Sequence, residues 1–107
     1  TKLSLESKKI ISNKHGFESI CDAIITPQPG NITFPLNLKA LAGGIVVNDE
    51  EVKNSIKVLA EHLKIIVEPG GAVAATAALT KKIDMKNKTV VVMISGGNID
   101  LDMFANL

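Results

Sequence analysis

The segment that most constrains this chain is Thr89-Val90-Val91-Val92-Met93-Ile94, followed at once by Ser95-Gly96-Gly97-Asn98. A strand with one wet face alternates apolar and polar residues; this run is continuous. Both of its faces are therefore expected to be buried, as in a parallel sheet between layers of helices. Gly44 to Val47 is a second β-branched run that reads as a strand, and Ile65-Ile66-Val67 is a third short apolar run. Helical periodicity lies between them, so the order strand, helix, helix, strand predicts an α/β fold with short parallel strands. Two secure strands make a poor sheet, which points to a larger partner.

The best helix signal starts at Asn48. Glu51 follows three residues later, a capping-box arrangement in which each residue's side chain serves the other's backbone N–H. Asp49 and Glu50 add negative charge at the positive end of the helix dipole. Val52, Ile56, Leu59, Ala60 and Leu63 then fall on one face at 3.6-residue spacing. Ala72 to Leu79, AVAATAAL, reads as a tightly packed buried helix after a break at Glu68-Pro69-Gly70-Gly71. Phe34 to Leu41 reads as a shorter helix closed by Gly43-Gly44 as a glycine cap. Residues 1–32 read as irregular, with one or two helical turns between Phe17 and Ile25 and a rigid loop at Thr26-Pro27-Gln28-Pro29-Gly30-Asn31. The α/β part is thus placed at 33–107, with a final turn or two from Asp100 to Leu107.

Composition narrows the function. The net charge is +1, Tyr and Trp are absent, and the lysines are scattered, so there is no basic stripe for nucleic acid. No apolar stretch approaches the length of a membrane span. Cys21 is the single cysteine and cannot form an internal disulfide, which fits a reducing, cytoplasmic setting. His15 and His62 stand far apart with no metal-ligand spacing around them, so no metal site is expected. There is no signal-peptide pattern. The first residue is Thr1 and not an initiator methionine, a hint that the chain begins inside a longer polypeptide.

Three places could carry chemistry. Ser95-Gly96-Gly97-Asn98 sits at the carboxyl end of the predicted strand, where open α/β sheets bind ligands; it also suits a plain strand-end turn. Glu68, just before a helix, is either a cofactor-facing carboxylate or a dipole partner. Gly30 lies in the Pro27–Asn31 loop, which taken alone is ordinary loop punctuation. Ser95 has no neighbouring histidine and no G-x-S-x-G elbow, so it is not read as a nucleophile.

Three blocks taken together, ICDAIITPQPGNITFPLN, VVNDEEVKNSIKVLAEHLKIIVEPGGAVAATAAL and VVVMISGGNIDL, resemble the last third of the threonine and serine dehydratases and serine racemases. These are fold-type II pyridoxal-phosphate enzymes. The resemblance runs from about Ser19 onward, with the blocks in the family's order and spacing. It implies part of the large domain of a tryptophan synthase beta-like architecture, a partial three-layer α/β/α arrangement. It also implies that the Ser95 hydroxyl bonds the cofactor's pyridine nitrogen and that Gly96 and Gly97 let the backbone approach the ring. Glu68 would stand near the cofactor, and Gly30, five residues before Pro35, would touch the cofactor and substrate region.

The family's Schiff-base lysine block, serine-phenylalanine-lysine, does not occur here, nor does its glycine-rich phosphate loop. The expectation is therefore the C-terminal part of an ammonia-lyase that converts an amino acid to a 2-oxo acid and ammonia. That part is expected to be inactive alone, without a catalytic residue of its own. Its expected partners are the missing N-terminal part and further copies of the same protein. The alternatives are a non-catalytic interaction or dimerisation module, or part of a serine racemase or 3-hydroxyaspartate dehydratase.

Overall fold

The structure is a computed structural model that describes residues 1–14 and 18–107. His15 and Phe17, the latter the expected start of a helical stretch, lie outside the described residues. The chain forms two compact units. One comprises Thr1–Glu18 and Ile25–Val46, the other Ser19–Ile24 and Val47–Leu107.

In the first unit, helix α1 spans Lys2–Ser7, within the stretch read as irregular. Its inner residue Ser4 is buried, and the Ser4 hydroxyl accepts the Ile11 N–H at 3.0 Å. Helix α2, Thr33–Ala40, begins where Phe34 N–H donates to the Gly30 carbonyl at 2.9 Å, and Phe34 is its buried residue. The expected glycine cap is not used. The chain leaves α2 extended at Leu41 (φ −92°, ψ 132°), and neither Gly43 nor Gly44 takes a positive φ. Gly44 instead permits close packing on α1, since a Cβ there would lie 3.0 Å from Lys2 Cα.

The second unit is built on α3, Asp49–Leu63, and α4, Pro69–Leu79, which pack together. The capping box is formed: Glu51 N–H donates to Asn48 Oδ1 and Asn48 N–H to Glu51 Oε2, both at 2.9 Å. Val52, Ile56 and Leu59 are buried on the predicted face, Ala60 is half-buried, and Leu63 is exposed. Lys64 ends α3 in the left-handed region (φ 58°). Helix α4 starts three residues earlier than expected, with Pro69 at its first position and both glycines in its first turn. Proline's fixed φ suits that place. Ala72, Ala75 and Thr76 are buried there, and the Thr76 hydroxyl donates to the Ala72 carbonyl at 2.9 Å. Small side chains let this helix approach the Cys21, Val52, Ile56, Leu59 and Val67 cluster closely. A short 3₁₀ turn, Asp22–Ile24, packs on α4, and α5, Leu101–Ala105, closes the chain.

The strand expectation requires correction. No described residue takes part in a β-ladder, so the runs at 44–47 and 89–94 are not strands. A strand exists through a ladder of hydrogen bonds to a neighbour, and among the described residues no such ladder joins these runs. Nor are both faces of 89–94 buried. Val92 packs on the core while Val91 and Met93 are 83% and 71% exposed. No helix among the described residues is long and apolar enough to cross a membrane.

Candidate functional site

The Glu68-Pro69-Gly70-Gly71 and Ser95-Gly96-Gly97-Asn98 segments meet in the second unit. Glu68 precedes α4 in extended conformation, and its side chain does not cap the helix. Its N–H instead donates to the Gly96 carbonyl at 3.0 Å, and its carboxylate accepts the Asn98 N–H at 3.0 Å on Oε2. The carboxylate lies over Gly96: a Cβ there would stand 2.5 and 2.6 Å from its two oxygens. A Cβ at Gly71 would lie 2.7 Å from the Gly96 carbonyl oxygen, and one at Gly97 would lie 2.8 Å from that of Ile66. The room that side chains would take is therefore filled by the protein itself. These glycines bring the first turn of α4 against the tip of the 95–98 segment.

Ser95, one residue before this junction, is exposed, and its hydroxyl has no hydrogen-bond partner among the described residues. Glu68 and Asn98 line an open cleft of about 620 Å³ together with Ile20, Asp22, Ala23 and Asp100. Its charged lining residues are Asp22, Glu68 and Asp100, and among the described residues no cationic residue lines it.

The turn at 20–24 contributes Ile20, Asp22 and Ala23 to the lining of the same cleft. Asp49, on the first turn of α3, holds it: Ser19 Oγ donates to Asp49 Oδ1 at 2.7 Å, and Ile20 N–H donates to Oδ2 at 3.1 Å. Cys21 N–H in turn donates to Ser19 Oγ at 3.1 Å. On the far side, Ala23 and Ile24 pack against Gly70, where a Cβ would lie 3.7 and 3.5 Å from their side chains. Burial pushes the Cys21 thiol above its ordinary value; the Ser19 hydrogen bond acts against this, and the Asp49 and Asp22 carboxylates reinforce it.

Of the residues singled out from sequence, Ser95, Gly96 and Glu68 are thus brought together in one unit. Gly30 belongs to the other unit, where its carbonyl accepts from Phe34 N–H at 2.9 Å and from Thr33 Oγ1 at 3.3 Å. His62 is exposed on α3. Sequence reasoning did not place Asp22, Ala23 or Asn98 in the cleft. The only signal for the first two is their place in the ICDA block, which precedes the proline-rich loop.

This chain resembles known proteins over nearly all its length. It is 41% identical over 88 residues to the L-threonine ammonia-lyase of Thermotoga maritima, covering 82% of this chain and 22% of that protein. It is 36% identical over 89 residues to the serine racemase of Schizosaccharomyces pombe, covering 83% and 28%. The structure of serine racemase from Dictyostelium discoideum superposes with a TM-score of 0.80 at 36% identity, over 94% of this chain and 32% of that one. The chain therefore spans less than a third of the length of these relatives. Its backbone is that of a part of the α/β fold-type II enzymes. The family model for the pyridoxal-phosphate dependent enzyme matches residues 3–96, and the chain belongs to that family.

Proposed function

We propose that this chain is the C-terminal portion of a pyridoxal-phosphate-dependent ammonia-lyase of the threonine/serine dehydratase type. In this reading it supplies the ring-side wall of the cofactor site and is inactive alone. The supporting observation is the exposed, unpartnered Ser95 hydroxyl beside a backbone tip that Glu68 braces through Asn98 N–H. The donor set fits the cofactor's ring: a free hydroxyl can bond a pyridine nitrogen, and the adjoining cleft is open. It does not fit the cofactor's phosphate, because the charged residues lining the cleft, Asp22, Glu68 and Asp100, are all acidic. The phosphate partners and the Schiff-base lysine are assigned to the rest of the polypeptide.

Pyridoxal phosphate, when bound, would supply an electron sink that eases loss of the substrate's α-proton. Ser95 would hold the ring nitrogen by hydrogen bond. A hydroxyl, unlike a carboxylate, does not fix a proton there, which favours β-elimination over transamination. Glu68 holds the 95–98 tip in place. The substrate in this reading is a hydroxy amino acid such as L-threonine or L-serine, and the products are a 2-oxo acid and ammonia.

Incubating the isolated chain with pyridoxal phosphate and L-threonine or L-serine tests the reading. No 2-oxo acid above the protein-free control is expected. Turnover by the chain alone would refute its role as an incomplete part.

A further inference from the structure

Helix α3 opens with three carboxylates, Asp49, Glu50 and Glu51, and all three suit the helix dipole equally well. The structure gives them different work. Glu51 closes the capping box and pairs with Lys82 at 2.6 Å; Glu50 pairs with Lys53 at 2.7 Å, one helical turn along. Asp49 alone of the three turns to the 19–21 backbone, with both oxygens engaged. The residues it grips lead directly into Asp22 and Ala23, and Ile20, Asp22 and Ala23 line the cleft together with Glu68 and Asn98.

We propose that Asp49 is a positioning residue for the cofactor cleft: its carboxylate clamps the 20–24 turn to α3 and so fixes the part of the lining that the turn contributes. This rests on the cofactor reading of that cleft. The two oxygens bond two successive residues, Ser19 and Ile20, and Ser19 Oγ passes the restraint on to Cys21 N–H. Packing of Ala23 and Ile24 on Gly70 fixes the other end. With the clamp released, the turn remains tied to the unit through that second contact, the burial of Cys21 and the packing of Ile20 on the core.

Cys21 reports on the clamp because it is buried directly behind it. Modification of the Cys21 thiol by 5,5′-dithiobis(2-nitrobenzoate) reads local opening of the turn, and urea unfolding reads global stability. Asp49→Ala is expected to raise the modification rate about 25-fold, the loss of two hydrogen bonds. Asp49→Glu keeps a carboxylate and should restore the slow rate. Ser19→Ala leaves the Asp49 charge in place and removes a hydrogen bond that lowers the thiol's pKa, a change that by itself would slow modification, so faster modification there reports the freed turn. Glu51→Ala weakens the same helix without touching the turn and should leave the rate near that of the wild type.

The second arm titrates the chain with pyridoxine 5′-phosphate, which carries the ring and phosphate but no aldehyde, following the amides of Ala23, Gly96 and Asn98 by NMR. Asp49→Ala should weaken binding by about fivefold, the equivalent of one hydrogen bond, and Asp49→Glu should not. Unchanged thiol rates in Asp49→Ala, or rates that rise equally in Glu51→Ala, overturn the clamp. Faster thiol modification with undiminished ring binding overturns its role in the cleft. No ring binding by the wild-type chain overturns the cofactor reading, and the thiol rates then decide the clamp by themselves.

Discussion

Gly71 carries no side chain, yet it decides how near two functional segments can come. Its missing Cβ leaves room for the Gly96 carbonyl, and Gly96 in turn leaves room for the Glu68 carboxylate. Gly71→Ala is expected to push the 95–98 tip away from α4 and to cost about 1–3 kcal/mol, the usual range for overpacking. Urea unfolding measures the cost, and the Gly96 amide shift reports the displacement. A variant as stable as wild type, with an unmoved Gly96 amide, would contradict the close packing described. At this scale the sequence pointed to Ser95, Gly96 and Glu68 as separate candidates. It could not show that the glycines serve the protein's own packing, because what faces a missing Cβ is set by residues some 25 positions away. Asp22 and Ala23 were equally hidden, since a turn becomes a cleft wall only through what lies opposite.

The elements were legible in proportion to how locally they are determined. Helix α3 carries its own start signal, its own apolar face and its own dipole charges, so its beginning at Asp49 and its buried face followed from residues 48–63. Helix α4 was legible in its Ala-rich body but began earlier, because Pro69 and two glycines can open a helix as well as interrupt one. The Gly43-Gly44 cap failed since Leu41 leaves α2 in extended form before either glycine is reached. The strands failed for a different reason: β-branched runs state a preference, and pairing needs a second segment that residues 89–94 do not meet among the described residues. Helix α3 also carries a pH dependence. Hydrogen bonds from Lys82 and from the Asn48 backbone hold the Glu51 carboxyl below its ordinary value of 4.5. A depressed carboxyl contributes stability that is complete above its unfolded pKa and is lost as pH falls through the folded one. Helical signal should therefore weaken in an acid titration below about pH 4.5, and Glu51→Gln should flatten that part of the curve. An unchanged acid profile in Glu51→Gln would show that this pair has no part in it.

For the molecule as a whole, the notable feature is apolar surface left open. Val91, Met93, Leu101 and Leu63 are each at least 60% exposed, in a chain spanning less than a third of the length of its relatives. Exposed apolar surface of this kind favours association. Sedimentation of the isolated chain should show concentration-dependent self-association, reduced by the pair Val91→Lys and Met93→Lys. A monomer at all concentrations would contradict this account of the surface. Composition did not announce this, since 46% apolar residues suffice for a core; the expectation of a larger partner came from two strand-like runs being too few for a sheet.

The central claim is that the Ser95 hydroxyl, beside a tip braced by Glu68, receives the nitrogen of a pyridine ring. The most direct measurement is an NMR titration of wild-type chain and Ser95→Ala with pyridoxine 5′-phosphate. The account predicts amide shifts concentrated at residues 95–98 and 68, with about fivefold weaker binding in the variant, the worth of one hydrogen bond. Shifts confined to other parts of the chain, or identical binding by Ser95→Ala, would contradict it.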